Sequence, residues 1–448
     1  MRTESAFPWS SEPVSELNEM PVTLPAEQPW PPPMAPEAYH GPIGEIIETV
    51  GPHTESDPHG LIISLLVAFG NLIGRQCVWH AGADVHFGNL FAVLVGESGA
   101  GRKGSGWSEV RRIFQAVDPW ESERIKTGAS SGEGIIYQVR DDAFKTDLKT
   151  GEPICEPGVK DKRLLLLETE FAAILKQTER GGNSLSPILR NAWDRGDLEN
   201  LTKNSPMKAS GAHISIMGHI TNDELGRKLN DTEASNGFAN RFLWVCVRRS
   251  KELPEGGCLT DVEIAIMRGH VTSAFKFAME KVRIFQRHAV AKHYWGKIYS
   301  DLSRSRKGLA GTICARAPAQ VLRIAMLYAV LDRCDEIRIE HLKAGLAVWS
   351  YCEASANYIF GDALGDPVAD EILGALRRSP DGMTRTELRD LFQKNKTANE
   401  ISRALGVLLA AGKAASKRES AERGRPTERW FAVKLSVEPS STVPAREW

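Results

Sequence analysis

The chain lacks the patterns that mark secreted, zinc-stabilised or membrane-spanning proteins. Its seven cysteines are scattered through 448 residues without a CxxC pair, which excludes a small disulfide scaffold and disfavours a structural zinc site. No uninterrupted apolar run reaches the roughly 18–20 residues that span a bilayer. The first residues carry no basic segment followed by an apolar stretch, so no signal peptide is expected. These absences predict a cytoplasmic protein without a membrane partner.

The chain also has almost no net charge. Its 56 Lys and Arg residues against 57 Asp and Glu residues give a formal charge of -1. There is no global basic field, so any contact with nucleic acid has to come from local patches. The composition, with 42% hydrophobic and 25% charged residues, is ordinary for a soluble globular protein.

The pattern along the chain divides it into five segments. Residues 1–40 are rich in proline and are predicted to be a disordered arm, either a tether or, through Trp9 and Trp30, a segment that docks on a partner. Strands alternate with helices over 41–255, which predicts an α/β core with a parallel sheet. Residues 256–362 are predicted to form a helical lid, 366–435 a third unit and 436–448 a tail.

A glycine-rich segment follows the apolar strand predicted at 89–95. It reads GESGAGRKGS and precedes a predicted helix, the context that a phosphate-binding loop requires. The motif G-x-x-x-x-G-K-[ST] is interrupted, because Arg102 precedes Lys103 and Gly104 stands where Ser or Thr belongs. Ser105 is the candidate for the hydroxyl that holds Mg²⁺. The residues predicted to bind the nucleotide are Gly96, Gly99, Gly101, Arg102, Lys103, Gly104 and Ser105.

Acidic residues follow the next apolar strand. Glu168 directly follows the apolar run at 164–167, and Glu170 comes two residues after it. A phosphoryl-transfer enzyme needs one carboxylate on the magnesium side and a second that polarises the attacking water. We expect Glu168 to take the metal position with Ser105, and Glu170 to activate water, with Glu168 as the alternative.

A third strand, predicted at 213–217, ends in polar residues. His219 is the first candidate to contact the terminal phosphate and the water that attacks it. Thr221 is the second candidate and Asn222 the third. The segment before this strand, 197–210, carries Lys203 and Lys208. It is predicted either as a hairpin whose lysines meet DNA phosphates in a pore or as an ordinary surface turn.

Two arginines are candidates for neutralising charge on a transferred phosphoryl group. Arg241 lies just before the strand predicted at 242–247 and is expected to act on a neighbouring subunit. Arg316 shares a helix face with Arg323 and is expected to reach back to the nucleotide from the lid. Arg248 and Arg249 are expected to face solvent.

The C-terminal unit has the order helix, helix, helix, hairpin, which is that of a winged helix-turn-helix. Thr384 and Glu387 predict a capping box, and Trp430 is expected to anchor the hairpin to the core. The basic residues predicted to contact DNA are Arg403, Lys417, Arg418, Arg423 and Arg425. A unit that only packs against protein is the alternative.

Taken together, these motifs resemble a poorly characterised P-loop family of phage, plasmid and integrated-element proteins, often found behind primase–polymerase domains. The resemblance covers roughly 42–360 and is carried by GESGAGRKGS, LLLETEF, ISIMGHIT, GFANRFL and RAPAQVLRIAMLYA. The order of these motifs is also similar to that of AAA+ helicases such as the minichromosome-maintenance group. It implies a P-loop NTPase of AAA+ or RecA-like α/β fold, with a helical lid and a C-terminal winged helix.

The resemblance further implies a helicase-like motor of a mobile element that hydrolyses ATP with Mg²⁺ in DNA replication. It implies a homo-oligomeric ring, a hexamer, with single-stranded DNA in its pore and duplex DNA at the winged helix. No primase–polymerase segment is present in the sequence, so priming is not expected. Two other functions remain open: a nucleotide-dependent DNA-binding initiator or regulator, and an ATPase that remodels partners, as in defence, without unwinding DNA.

Overall fold

The fold is mixed α/β. The computed structural model describes residues 29–99, 101–146, 153–201, 206–229, 233, 236–306, 308–361, 366–393, 395–419 and 427–433. These residues fall into two compact units, one running from Pro29 to Asp370 and the other beginning at Glu371. The predicted core and lid therefore belong to one unit.

The first unit contains short strands separated by helices. In chain order the strands are β1 (Cys77–Ala81), β2 (Asp84–Phe87), β3 (Phe91–Val95), β4 (Ile125–Lys126), β5 (Ala143–Thr146), β6 (Pro153–Glu156), β7 (Arg163–Glu168), β8 (Leu198–Asn200), β9 (Met207–Ala209), β10 (His213–Ile220), β11 (Phe242–Cys246) and β12 (Arg283–Phe285). The helices are α1 (Pro42–Val50), α2 (Pro58–Leu72), α3 (Lys103–Phe114), α4 (Trp120–Glu123), α5 (Gly132–Val139), α6 (Ala172–Thr178), α7 (Leu185–Asp194), α8 (Asn222–Lys228), α9 (Asp261–Met279), α10 (Ala289–Leu302), α11 (Gly308–Ile313), α12 (Ala317–Leu331) and α13 (Ile339–Phe360).

A five-stranded parallel sheet in the order β11-β3-β10-β7-β4 forms the centre of this unit. Every residue of β3, β10 and β11 is buried, because helices cover both faces of a parallel sheet. This burial explains the nearly continuous apolar runs in the sequence. The strands predicted at 89–95, 164–167, 213–217 and 242–247 are confirmed.

The connections between the strands change direction across the sheet at its middle. After β3 the chain moves across the sheet to β4 and returns through β7 to β10, beside β3. It then crosses back to β11, on the other side of β3. Connections that run in opposite directions open a crevice at the carboxyl ends of the strands, where α/β proteins bind ligands.

A second sheet joins the two parts that the sequence separates into core and lid. β1 pairs antiparallel with β2 and parallel with β12, which lies in the helical region after α9. The sequence at 76–81 predicts a strand, which is present as β1 but lies outside the central sheet. The sequence pattern at 261–286 predicts one helix, but α9 ends at Met279 and residues Arg283–Phe285 form β12.

The proline-rich segment is structured from Pro29 onward, contrary to the prediction of a disordered arm through residue 40. Residues Pro36–Tyr39 form a 3-10 helix, and Ala38 is completely buried. The Tyr328 hydroxyl donates a hydrogen bond to the carbonyl of Ala38 at 2.5 Å. Proline fixes φ at a value compatible with a first helical turn, and Pro36 occupies that position in the 3-10 helix. Trp9 lies outside the described residues, as does the tail at 436–448.

One stretch of the first unit has the length and apolar character of a membrane-spanning helix. It runs from Gly308 to Leu331, and 78% of its most apolar window is buried within the fold. Arg323, in its middle, is fully buried too. The stretch is thus a helix of the protein interior.

Three side chains connect the segment before α1 to the ends of α12 and α13. The Asp332 carboxylate lies 2.6 Å from His40 Nε2 and 3.0 Å from His341 Nε2. His341 Nδ1 accepts the amide proton of Arg338 at 3.0 Å. Its Nε2 therefore carries the proton directed at Asp332, and the three side chains form a hydrogen-bonded His-Asp-His cluster.

Replacing His40 with glutamine is expected to destabilise the protein more at low pH than at high pH. The hydrogen bond to Asp332 raises the pKa of His40. This stabilisation is complete below the unfolded-state pKa of about 6.5 and is lost as pH rises through the higher folded-state pKa. Thermal unfolding between about pH 5.5 and pH 8.5 measures it, with exposed His80→Gln as the control. A difference between variant and wild type that does not change with pH would contradict the prediction.

The second unit is small and has its own core. Its helices are α14 (Pro367–Arg378), which belongs to this unit from Glu371 onward, α15 (Arg385–Leu391) and α16 (Ala398–Ala410). Its strands are β13 (Met383–Thr384), β14 (Ala414–Glu419) and β15 (Thr427–Ala432). The strands form an antiparallel sheet in the order β13-β15-β14. The capping box at Thr384 and Glu387 is confirmed, and Trp430 is buried, 4% exposed.

Candidate functional site at the carboxyl ends of the sheet

The segments identified in the sequence meet at the carboxyl ends of the strands of the central sheet. The strand register places Glu168 of β7 beside Gly218 of β10, and His219 beside Leu94 of β3. The glycine-rich loop begins one residue after Val95. The loop, the acidic strand end and the polar strand end are thus neighbours at the crevice described above.

Close contacts and backbone conformation require glycine at several positions of the loop. A side chain at Gly96 would overlap the carbonyl oxygen of Val247, and Gly99 has φ +68°, which favours glycine. A Cβ at Gly101 would lie 3.0 Å from the carbonyl oxygen of Glu97. The loop therefore turns tightly against the strand and leads directly into α3.

Arg102, the inserted residue, is held away from the loop interior. Its backbone has φ 46°, unusual for a residue with a side chain. Its Nε lies 2.6 Å from the Glu55 carboxylate, and Ser56 Oγ donates to its carbonyl at 3.1 Å. Arg102, which we predicted to bind the nucleotide, is thus engaged with a residue before α2.

Of the two arginines that follow β11, Arg248 is exposed, as expected, whereas Arg249 is half-buried against Glu55. The Glu55 carboxylate accepts hydrogen bonds from Arg249 Nη2 at 2.6 Å and from the Leu253 amide at 2.8 Å. Arg248 lies over the ring of Trp30, 5.1 Å from its centroid. Arg249 thus has a carboxylate partner, and no motif in the sequence identifies Glu55 as its anchor.

Lys103 is the first residue of α3, and its ammonium group folds into the loop. Nζ donates to the carbonyls of Gly96 at 2.6 Å and Glu97 at 3.1 Å. Burial lowers its pKa, an effect that the nearby carboxylates of Glu224 and Glu97 oppose. A partly desolvated cation on two carbonyls is suited to receive an anionic ligand.

The next two residues present an open surface. Gly104 and Ser105 are exposed in the first turn of α3, and nothing lies within 4 Å of a Cβ built on Gly104. No packing inside the described chain requires glycine at this position. Space at the first turn of a helix suits an anion, because the amide groups there lack partners.

Glu168 is buried at the end of β7, 6% exposed. Its Oε1 accepts the Ala129 amide at 2.8 Å. Burial raises its pKa, and the amides of Ala129 and Gly128 counteract this shift. A cation beside this carboxylate would offset the cost of its buried charge.

Glu170 differs from Glu168 in exposure. It lies in the turn before α6 and is exposed. The amide of Phe171, its neighbour, donates to the carbonyl of His219 at 2.9 Å, which fixes this turn against β10. A side chain at Gly218 would collide with the Phe171 ring, which explains the glycine in this strand.

His219 has a buried ring nitrogen without a partner. The residue is 3% exposed, and its Nε2 makes no hydrogen bond within the described chain. Burial lowers its pKa to about 4, and the charge of Lys103 lowers it further. The imidazole is therefore neutral near pH 7 and can exchange a hydrogen bond with a ligand. Thr221, the second candidate, instead caps α8 through Glu224.

The sequence leads us to expect ATP hydrolysis at this crevice. On that expectation, replacing His219 with alanine should slow hydrolysis by about tenfold to a hundredfold, because a hydrogen bond to the reacting groups is lost. Asparagine, which keeps a polar group of similar length, is expected to restore part of the rate. Because the pKa is about 4, the rate should show no inflection from His219 near pH 6.5. Steady-state rates between about pH 5.5 and pH 8 measure both effects, and an inflection that disappears in the alanine variant would contradict them.

The two candidate arginines lie at the amino ends of the strands, away from the loop. Arg241 immediately precedes β11, and Arg316 Nε donates to Asn240 Oδ1 at 2.9 Å. β11 spans five residues, so its two ends are about 16 Å apart. Arg316 is therefore placed beside Arg241, and not beside Lys103 of its own chain.

The hairpin predicted at 197–210 is confirmed as β8 paired antiparallel with β9. Lys208 is exposed on β9, and Lys203 lies outside the described residues. Asp141, before the hairpin β5–β6, accepts the Ser210 amide at 2.9 Å, and its own amide donates to the Lys208 carbonyl at 2.8 Å. The second hairpin, which the sequence analysis did not identify, is thus fixed to the first.

The basic residues predicted in the second unit are only partly described. Arg403 is exposed on α16, and Lys417 is exposed on β14. The side chain of Arg418, and Arg423 and Arg425 entirely, lie outside the described residues. The two described residues are at the surface of their unit, where phosphate contacts are possible.

Comparison with known protein families finds no family that matches the chain, and comparison with curated proteins finds no relative. The site is therefore interpreted from its own geometry.

Proposed function

We propose that the first unit is a P-loop NTPase of AAA+ type that binds and hydrolyses ATP at the carboxyl ends of β3, β7 and β10. The observation that carries the proposal is the position of the Lys103 ammonium within a glycine-rich loop. This loop lies where the connections between the strands change direction across the sheet. A strand, a glycine-rich loop and a helix in this order form the usual cradle for phosphates.

The residues around Lys103 fit a nucleotide with magnesium. The space beside Gly104 can accept phosphate oxygens, and Ser105 and Glu168 would hold the cation. Mg²⁺ would neutralise negative charge on the phosphates. Glu170 is positioned at the exposed rim to polarise water, and the neutral His219 to orient it.

We further propose that the protein is a ring-forming, helicase-like DNA motor of a mobile element, working in the cytoplasm. The two braced hairpins supply the exposed Lys208 and an aromatic side chain, Phe144, that is 75% exposed. Exposed aromatic and basic residues together suit single-stranded DNA. The second unit has the helix and hairpin order of a winged helix and would contact duplex DNA.

The main test is the rate of ATP hydrolysis with no DNA, with single-stranded DNA and with duplex DNA, measured alongside particle mass. We expect magnesium-dependent hydrolysis that single-stranded DNA stimulates, in a particle several times the mass of one chain. Nucleotide binding without turnover, combined with sequence-specific duplex binding, would favour an initiator or regulator. Turnover that no DNA affects would favour an ATPase that remodels protein partners.

Replacing Arg403 and Lys417 together with alanine is expected to weaken binding to duplex DNA and to reduce its dependence on salt. Each lost phosphate contact lowers the slope of log K against log salt by about 0.9. Fluorescence anisotropy with labelled duplex at several salt concentrations gives the slope, and Lys297→Ala, an exposed lysine on α10, is the matched control. Unchanged affinity and slope would assign the second unit to protein packing.

A further inference from the structure

Two adjacent cations at the end of the glycine-rich loop compete for one position. The motif G-x-x-x-x-G-K, counted from Gly96, places its lysine at residue 102, where the chain has Arg102, and Lys103 follows. The structure turns Lys103 into the loop, where Nζ donates to the carbonyls of Gly96 and Glu97. The Arg102 side chain lies outside and is 40% exposed. Some feature of the fold therefore selects the second cation over the first.

The backbone of Arg102 has an unusual conformation in this arrangement. With φ 46° and ψ 28° it lies in the left-handed region, which a residue with a side chain keeps only where its surroundings fix it. Ser56 Oγ and the Gly106 amide each donate to the Arg102 carbonyl at 3.1 Å. The guanidinium is fixed separately, by the ion pair between its Nε and the Glu55 carboxylate at 2.6 Å.

The Glu55 carboxylate joins the loop to the segment that follows β11. Besides its ion pair with Arg102, it accepts hydrogen bonds from Arg249 Nη2 at 2.6 Å and from the Leu253 amide at 2.8 Å. The Leu253 amide, and then the two arginines, lower the pKa of Glu55, so it carries its charge at neutral pH. Its side chain is only 13% exposed. A carboxylate held in this way is a fixed anchor for a more mobile guanidinium.

The turn that carries Glu55 also lies against the first part of α3. A Cβ built on Gly106 would lie 3.1 Å from Ser56 Oγ, so the helix and the turn approach closely enough to favour glycine. At the other end of the loop, Gly96 lies against the carbonyl of Val247. The loop is thus held at its base by the end of β11 and at its far end by Glu55 and Ser56.

We infer that Glu55 is a positioning residue that determines which cation faces the phosphates. By holding the Arg102 guanidinium outside the loop, it leaves the interior to the Lys103 ammonium. Without the Glu55 charge, Arg102 enters the loop and displaces Lys103. The inference rests on the proposed nucleotide site and adds to it the residue that fixes the arrangement of its loop.

The two cations are not equivalent beside a phosphate. An ammonium is a compact point charge, whereas a guanidinium is planar and binds phosphate oxygens through two parallel hydrogen bonds. With Arg102 in the loop, ATP would still bind, but its phosphates would be shifted relative to Ser105 and Glu168. A shift of about 1 Å can slow a reaction by about a hundredfold. The expected sign of a wrongly placed cation is therefore retained binding with slow hydrolysis.

The first test removes the charge of Glu55. Glu55→Gln should bind a fluorescent ATP analogue with an affinity within about threefold of wild type and hydrolyse ATP at least about tenfold more slowly. Glutamine keeps an oxygen that can accept the Leu253 amide, so the fold should persist, and thermal unfolding checks this. Glu252→Gln is the matched control, because Glu252 also contacts Arg249, at 3.5 Å, but its side chain is 78% exposed. It should hydrolyse ATP normally.

Removing Arg102 supplies the decisive measurement. If Glu55 acts through Arg102, the double variant Glu55→Gln/Arg102→Gly should hydrolyse ATP as fast as Arg102→Gly alone. Glycine is chosen because it adopts the positive φ of this position without strain. In the Lys103→Ala background, Glu55→Gln should raise the affinity for ATP by at least about tenfold, because the released guanidinium replaces the lost ammonium. A Glu55 that only stabilised the fold would produce neither effect.

A second substitution keeps the inference testable if Glu55→Gln does not fold. Glu55→Asp retains the charge and draws it back by one methylene group. It should show the same separation of binding from hydrolysis to a smaller degree, and Arg102→Gly should again remove the loss. A rate for Glu55→Asp that stays low in the Arg102→Gly background would contradict the inference.

The outcomes separate the inference from the proposed function. If the wild type shows no hydrolysis that depends on Lys103, both are wrong. If the wild type hydrolyses ATP through Lys103 and Glu55→Gln does so equally well, only the inference is overturned. It is also overturned if Arg102→Gly does not restore the rate, or if Glu252→Gln loses as much as Glu55→Gln, because the effect would then come through Arg249.

Discussion

Replacing Lys103 with alanine is expected to abolish measurable ATP hydrolysis and to weaken ATP binding by at least about a hundredfold. Nζ lies on the carbonyls of Gly96 and Glu97, so its charge is already inside the loop where phosphates would lie. Removing one preorganised cationic donor of this kind costs about a hundredfold to a thousandfold. The substitution shortens a half-buried side chain at the start of a helix, so the fold should persist.

The test compares three variants. Binding of a fluorescent ATP analogue and the hydrolysis rate are measured for Lys103→Ala, Arg102→Ala and Lys297→Ala, with circular dichroism as the check on folding. Arg102→Ala is expected to have the smaller effect, because Glu55 holds that guanidinium. Lys297→Ala, at an exposed position on α10, should behave as wild type. Wild-type hydrolysis by Lys103→Ala, or a larger loss in Arg102→Ala, would show that the loop does not bind phosphate through Lys103.

Replacing Glu170 with glutamine is expected to lower the rate of hydrolysis by about a hundredfold or more while ATP remains bound, since an amide does not polarise water as a carboxylate does. Glu168→Gln is expected to raise the Mg²⁺ concentration needed for half-maximal activity. Glu168 is buried and its pKa is raised, so a neighbouring cation stabilises its charged form. Glutamine retains the oxygen that accepts the Ala129 amide, and the turn around it should survive.

Magnesium titrations of the hydrolysis rate distinguish the two carboxylates. A change in maximal rate for Glu170→Gln, together with a change in magnesium dependence for Glu168→Gln, is the expected pattern. The reverse pattern would exchange the two roles and leave the proposed ATPase intact. Full activity in both variants would contradict the proposed site.

Much of the fold can be predicted because its signals are local. The fully buried strands β3, β10 and β11 are nearly continuous apolar runs, and the capping box of α15 is indicated by Thr384 and Glu387, three residues apart. Each of these patterns follows from the burial or hydrogen bonding of a short segment. They therefore need no knowledge of distant parts of the chain.

Features that depend on long-range pairing could not be predicted in the same way. Nothing in the sequence around Cys77 indicates that its strand pairs with Arg283. The residues 283–285 continue an apparent helical pattern, so the strand there was predicted as the end of a helix. Likewise, Pro29–His40 is rich in proline, and only the burial of Ala38 against α12 shows that the segment packs.

The candidate site was predictable in its strand ends but not in its supports. Lys103, Glu168 and His219 follow apolar strands, and parallel strands bring their carboxyl ends together. Glu55 forms an ion pair with Arg102, and the ring of Trp193 lies beside the guanidinium groups of three arginines. Neither residue belongs to a motif. The sequence likewise places Arg316 after Arg241 without indicating that Asn240 and Asp194 join them at the far edge.

The position of β11 also sets the order in which the chain can fold during synthesis. β3 emerges early from the ribosome, yet one of its two neighbours, β11, is made about 150 residues later, and α13 must still pack on β11. Until then an apolar strand edge has no partner, and parallel pairing across so long a separation is slow. A nascent chain released before Phe360 is therefore expected to expose an unpaired strand edge to other chains, which favours aggregation.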